Sequence, residues 1–242
     1  MNRSITRGFP AVASVAAAVA LLGAAAAVAA SSPLRAPDAP AATQRLVVLN
    51  NDTEAFRAPD DGSGSAGEVN EVRPITGERT VLPIVKSTGT GWLEVLLPGR
   101  PDSHTGWIRA ASVSLTLTDW HIVVDLSTRE VSVYDDGHLT RTFPAVVGKP
   151  STPTPTGNFF VEETVPLGAA SSGAPFALAL SARSNALAEF DGGPGQVALH
   201  GIANIGGVPG TAVSHGCVRL TTPDITWLAA HISSGVPVTI TN

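Results

Sequence analysis

From Leu46 onward the apolar residues of this 242-residue chain come in short runs cut apart by Gly, Pro and Asp, and this punctuation restricts its fold more than any other feature. Leu46-Val47-Val48-Leu49, Thr80 to Val85, Trp92 to Leu97 and Gly106 to Ile108 each suit a strand and are too short for a helix. Beyond Trp120 the pattern continues with His121 to Leu126, Val131 to Tyr134, Thr142 to Val147, Asn158 to Glu163, Val197 to His200 and Val236 to Ile240, and Asp136-Gly137 reads as a hairpin turn. The expected fold class is mainly β. One helix is well marked, with Thr222 as its cap, Pro223 at its first position, Ile225, Leu228, Ala229 and Ile232 as its apolar stripe and Gly235 at its end.

Residues 1–30 form a separate segment. Arg3 and Arg7 precede an alanine-rich apolar run from Ala11 to Ala30, the pattern of an export signal with a small-residue cleavage site near residue 30. The same run, if kept, would serve as a membrane tether through residues 11–30, and both outcomes stay open. Residues 31–45, with Pro33, Pro37 and Pro40, read as a linker. A small β module is expected over 46–118 and a larger β-dominated unit over 119–242.

The formal charge is −5, and loss of residues 1–30 with their two arginines would make it −7. No basic stretch is present, which argues against nucleic acid as a partner. An exported chain with a single cysteine cannot lean on intramolecular disulfides, so its fold must stand on its own core. A lone thiol outside the cytoplasm invites mispairing, and its presence asks for a chemical reason.

That reason is suggested by Ser214-His215-Gly216-Cys217-Val218-Arg219-Leu220, preceded by Leu199-His200-Gly201 at the end of a strand. A free thiol has a pKa of about 8.5, so an imidazole is needed to take its proton near neutral pH. His215 and His200 are both within reach by sequence. Gly216 permits a backbone geometry in which neighbouring N–H groups converge, as a tetrahedral oxyanion requires. Arg219 adds a fixed positive charge that either steadies a thiolate or holds a substrate carboxylate, and the sequence does not choose between them.

These residues resemble the YkuD-type L,D-transpeptidases, whose motif is a His-Gly followed by Ser-His-Gly-Cys and then Arg. The resemblance spans about Trp120 to Asn242 and includes Val147-Gly148 and Pro153-Thr154-Pro155-Thr156-Gly157-Asn158-Phe159. The pairing of Gly91-Trp92 to Val95 with Gly106-Trp107-Ile108 also resembles the closing hairpin of bacterial SH3-like modules, although two core tryptophans of a spacer would read the same way. The transpeptidase resemblance implies a β-rich catalytic domain in which Cys217 attacks the donor stem peptide of peptidoglycan and His200 moves the proton. Gly201 would orient His200 through its carbonyl. His215 and Gly216 would lie against the nucleophile, the amides of this turn would bind the oxyanion, and Ser214 and Arg219 would support the loop. It also implies a thioester intermediate, release of D-alanine, cross-linking to an amine of a second stem, no metal or organic cofactor, and acylation by carbapenem β-lactams. The expected setting is outside the cytoplasm, in the cell wall or periplasmic space.

Other readings of the same residues remain. Water or a free amino acid as acceptor would make the protein an L,D-carboxypeptidase or an exchange enzyme. A zinc site on His200, His215 and Cys217, a buried structural cysteine, or a non-catalytic wall-binding protein would each use the residues differently.

Overall fold

The computed structural model describes residues 1, 40–190 and 192–242, so the expected export segment and most of the linker lie outside the described residues. The first strands are β1 (Gln44–Leu49), β2 (Thr53–Phe56), β3 (Ser65–Val69), β4 (Val81–Ser87), β5 (Trp92–Leu96), β6 (Thr105–Arg109) and β7 (Val113–Thr118). They form one seven-stranded sheet in the order β3-β2-β6-β5-β4-β1-β7. β1 starts at Gln44, so the last two residues read as linker already belong to the sheet.

The chain continues through β8 (Trp120–Asp125), β9 (Glu130–Asp135), β10 (His138–Pro144), β11 (Val147–Gly148), β12 (Gly157–Pro166), β13 (Phe176–Arg183), β14 (Gln196–Gly201), β15 (Ala212–Ser214), β16 (Val218–Leu220), α1 (Thr222–His231) and β17 (Pro237–Thr241). Eight of these strands form a sheet in the order β10-β9-β8-β17-β12-β13-β14-β16, while β11 and β15 pair separately in parallel. The fold is mainly β, as its punctuation implies. Its main core gathers Ile122, Val133, Phe159, Leu178, Leu180 and Leu199 under Ile225 and Leu228 of α1.

Several local expectations shift. The run from Thr142 to Val147 is not one strand. Pro144, which has no N–H to give a ladder, closes β10, and the amides of Val146 and Val147 turn instead to the carbonyls of Arg219 and Thr211. β13 was not legible, because Phe-Ala-Leu-Ala-Leu-Ser-Ala-Arg carries no strand preference of its own; hydrogen bonding to β12 and β14 on its two sides makes it a buried strand. Thr221, not Thr222, caps α1, its hydroxyl accepting from the Asp224 amide. α1 ends at His231, and Gly235 lies beyond it with φ +86°. A Cβ there would sit 2.4 Å from Val81 of β4, so this glycine serves close approach of the two sheets.

Strand alternation on β12 joins the two units. Phe159 and Val161 enter the main core, whereas Phe160 points the other way and is fully buried among Val47, Leu82, Ile84 and Val95 of the first sheet. Glu162, on the same side as Phe160, is buried between Arg73 from the first unit and Arg183 of β13. Trp92 packs edge-on against Phe56 and beneath the Arg109 guanidinium, while Trp107 is half-buried and in register with Glu94.

His121 of β8 has its Nε2 2.9 Å from the Thr239 hydroxyl, and burial pulls its pKa down to about 4. The unfolded chain, with a histidine value near 6.5, takes up the proton first. The stability that neutral His121 contributes is therefore complete above pH 6.5 and lost as pH falls toward 4. With allowance for its partial exposure, the loss amounts to about 2 kcal/mol. Denaturant unfolding measured from pH 7 to 4 should show this decline, and His121→Asn should flatten it.

Candidate active site

Ser214 to Cys217 make the tight connection between β15 and β16, with Gly216 at φ +122°. Ser214 is fully buried and its hydroxyl holds the turn twice, donating to the Cys217 carbonyl at 2.6 Å and accepting from the Gly216 amide at 3.1 Å. The segment after β11 wraps the same turn. The Thr152 hydroxyl donates to the Ser214 carbonyl at 3.2 Å, and that of Thr154 donates to the Gly216 carbonyl at 2.8 Å while accepting from the Gly148 amide. A Cβ on Gly148 would lie 2.4 Å from the Thr154 nitrogen, so only glycine lets the segment fold back this closely.

His200 reaches the same place from β14, which pairs in parallel with β16 so that Leu199 faces Val218, His200 faces Arg219 and Gly201 faces Leu220. Its Nδ1 lies 2.8 Å from the Gly201 carbonyl oxygen. A carbonyl only accepts, so Nδ1 carries the proton and Nε2 presents its lone pair. Gly173 backs the ring, and a Cβ there would come within 2.5 Å of Nδ1. Burial pushes the His200 pKa below its ordinary 6.5; the Gly201 bond opposes this and the Arg219 charge adds to it. Burial pushes the Cys217 thiol up, against the Ala198 amide and the Arg219 charge, which favour the thiolate. Desolvation thus favours the uncharged form of both groups.

Cys217, His200, His215 and Arg219 line one pocket together with Ser184 and Leu187, with about 40 Å³ of room. That volume admits a few waters. Arg219 is nearly buried, donates to the Gly206 carbonyl at 3.2 Å and exchanges main-chain bonds with Val146. His215 is exposed at the rim, stacked on Phe190 at 5.7 Å, with its Nε2 3.4 Å from the Lys149 ammonium.

Residues 119–240 match the model of the YkuD family, the L,D-transpeptidase catalytic domain. The chain belongs to this family. The putative L,D-transpeptidase YkuD of Bacillus subtilis is 27% identical over 161 residues, covering 65% of this chain and 80% of that protein. Its counterpart from Bacillus licheniformis is 32% identical over 125 residues, 50% of this chain and 66% of that protein. A solved structure of L,D-transpeptidase LdtMt1 in complex with imipenem is similar over 67% of this chain and 91% of that one, at 19% identity and a TM-score of 0.42.

Within this L,D-transpeptidase domain the residues singled out in the sequence divide by position. Cys217, His200, His215 and Arg219 meet at the pocket, Gly201 holds His200 by its carbonyl, and Ser214 lies beneath the turn. The Gly216 amide, expected among the oxyanion donors of this turn, is taken by Ser214 Oγ. Thr152, Gly173 and Lys149 were not singled out, and Thr154 entered only within the segment that carries the resemblance. The two threonines had a signal, since they alternate with Pro153 and Pro155, which keep the preceding residues extended and set both hydroxyls on one side. Gly173 had none, because its partner is a ring 27 positions away in the sequence.

Thr154→Val keeps the shape of the side chain and leaves the Gly216 carbonyl and the Gly148 amide without their partner. It should cost about 1–3 kcal/mol of stability, read as a lowered denaturation midpoint with an unchanged m-value.

Proposed function

We propose that this protein cross-links peptidoglycan stem peptides outside the cytoplasm, with Cys217 as nucleophile and His200 as general base and acid. The observation that carries this reading is the bond from His200 Nδ1 to the Gly201 carbonyl, which leaves Nε2 basic in the pocket that Cys217 shares. The direction of both pKa shifts supports a neutral thiol beside a neutral imidazole before substrate arrives. The proton then moves as the carbon–sulfur bond forms.

In the first half-reaction the Cys217 sulfur attacks a stem carbonyl as its proton passes to His200 Nε2. Collapse of the tetrahedral adduct breaks the amide bond, and His200 returns the proton to the departing D-alanine amine. In the second half, an amine of another stem attacks the thioester, loses its proton to His200 and expels the sulfur, which recovers that proton as a thiol. The fixed charge of Arg219 favours negative charge on the sulfur during both steps. The amides of this turn other than that of Gly216 would meet the oxyanion. A carbapenem would be opened by the same attack, leaving an acyl group on sulfur. Export by the N-terminal segment would place the enzyme at its substrate.

Intact-mass measurement after imipenem exposure should show one added drug mass on the wild type and none on Cys217→Ala. With tetrapeptide stems, mass spectrometry should find cross-linked dimers; trimmed tripeptides alone would mean that water is the acceptor. An unmodified wild-type protein would reject the reading altogether.

The pH dependence follows from the two shifts. Since His200 titrates below 6.5, its base form persists on mild acidification, and the acidic limb of the acylation rate should lie below pH 6.5. Since burial raises the thiol above its ordinary value, alkylation of the free protein by iodoacetamide should keep rising beyond about pH 9. A plateau of alkylation at neutral pH would instead reveal a preformed thiolate.

A further inference from the structure

The loop between β5 and β6, which belongs to the first sheet, is embedded in the catalytic unit. The Gly99 amide donates to the Ser181 carbonyl at 3.2 Å, and the Asp102 carboxylate accepts from the Arg183 amide at 2.8 Å. The Ser103 hydroxyl donates to the Asn158 carbonyl and accepts from the Asn158 amide, both at 3.0 Å. Between these anchors Arg100 extends to the wall of the active-site pocket.

Its guanidinium fills a cup of three main-chain carbonyls, Nη1 donating to Pro194 at 2.8 Å and Nη2 to Ser184 at 2.7 Å and Leu187 at 3.2 Å. Ser184 and Leu187 line the pocket, as does Gly195, whose carbonyl accepts from the Ser184 amide at 2.8 Å. Three carbonyl dipoles aimed at one point repel each other, and a cation with several fixed donors is what holds them together. Gly195 permits the convergence: it sits at φ +68°, and a Cβ there would lie 2.1 Å from the Leu187 oxygen. The part of the pocket lining at Ser184 and Leu187 is therefore fastened by a residue of another unit.

We propose that Arg100 is a positioning residue for the active site, and that the N-terminal β module acts in catalysis by fixing the pocket wall at Ser184 and Leu187 through it. The inference rests on the reading of Cys217 and His200 as the reacting pair. Arg100 touches neither of them; it sets the width of the slot in which a donor stem or a carbapenem must meet the sulfur. Its loss should weaken binding before it slows chemistry.

The test uses the full chain and two variants, Arg100→Ala and Arg100→Lys, because a lysine keeps the charge but lacks the fork that spans three carbonyls. Acylation of Cys217 by imipenem is followed across drug concentrations, alongside amide hydrogen exchange at Ser184 and Leu187 and the thermal midpoint. In Arg100→Ala the half-saturating concentration should rise about tenfold, while the limiting rate falls less than about threefold and exchange at both amides speeds about tenfold. Arg100→Lys should fall between this variant and the wild type. A half-saturating concentration within twofold of wild type in Arg100→Ala overturns the proposal, whatever the thermal midpoint does. So does a loss confined to the limiting rate. Failure of wild-type acylation would instead sink the reading of the reacting pair, and unchanged amide exchange would then still refute the clamp.

Discussion

Parallel pairing of β14 with β16 places His200 across from Arg219 and brings Cys217, two residues before Arg219, to the same sheet edge. Parallel neighbours cannot be joined by a tight turn, so the chain between Gly201 and Val218 must leave the sheet and return. It does so through β15, which pairs with β11, and the return is secured where Val146 and Arg219 exchange main-chain bonds. Everything that holds the turn, including the buried Ser214 hydroxyl and the two threonines after β11, fixes the end of that excursion. The groups proposed to react are thus set by backbone pairing, and their own side-chain contacts serve mainly to orient them.

Burial of the proposed pair also biases its charge. Desolvation disfavours both thiolate and imidazolium, and the Ala198 amide and Arg219 only partly offset this at the sulfur. A low-dielectric pocket strengthens whatever dipoles face the developing charge once reaction begins. The Gly201 carbonyl contributes before that moment, because it selects the tautomer without which Nε2 could not accept a proton.

The N-terminal sheet shares the folding of the catalytic unit. Alternation along β12 gives each unit one phenylalanine of an adjacent pair, Phe159 to one core and Phe160 to the other. Glu162 is buried between arginines from both sides, and such an arrangement is costly to break because removing one partner strands a charge. Gly235 lets the second unit approach Val81 without a side chain in the way. A surface joined this firmly can transmit position to the pocket, as the reach of Arg100 illustrates.

Much was legible before any coordinates. Short punctuated runs implied a β fold, Thr222-Pro223 and the apolar stripe marked the start of α1 to within a residue, and Ser-His-Gly-Cys after His-Gly singled out the candidate pair. These signals are local, written in the period of side chains or in residues that chemistry requires at fixed spacing. The rest depends on partners far apart in the chain. β13 became a strand through its neighbours, Gly173 is small because of His200, the Gly216 amide is spent on Ser214, and Arg100 finds its acceptors 84 to 94 positions away. No local pattern encodes such contacts, because the groups they satisfy exist only after the sheets have packed.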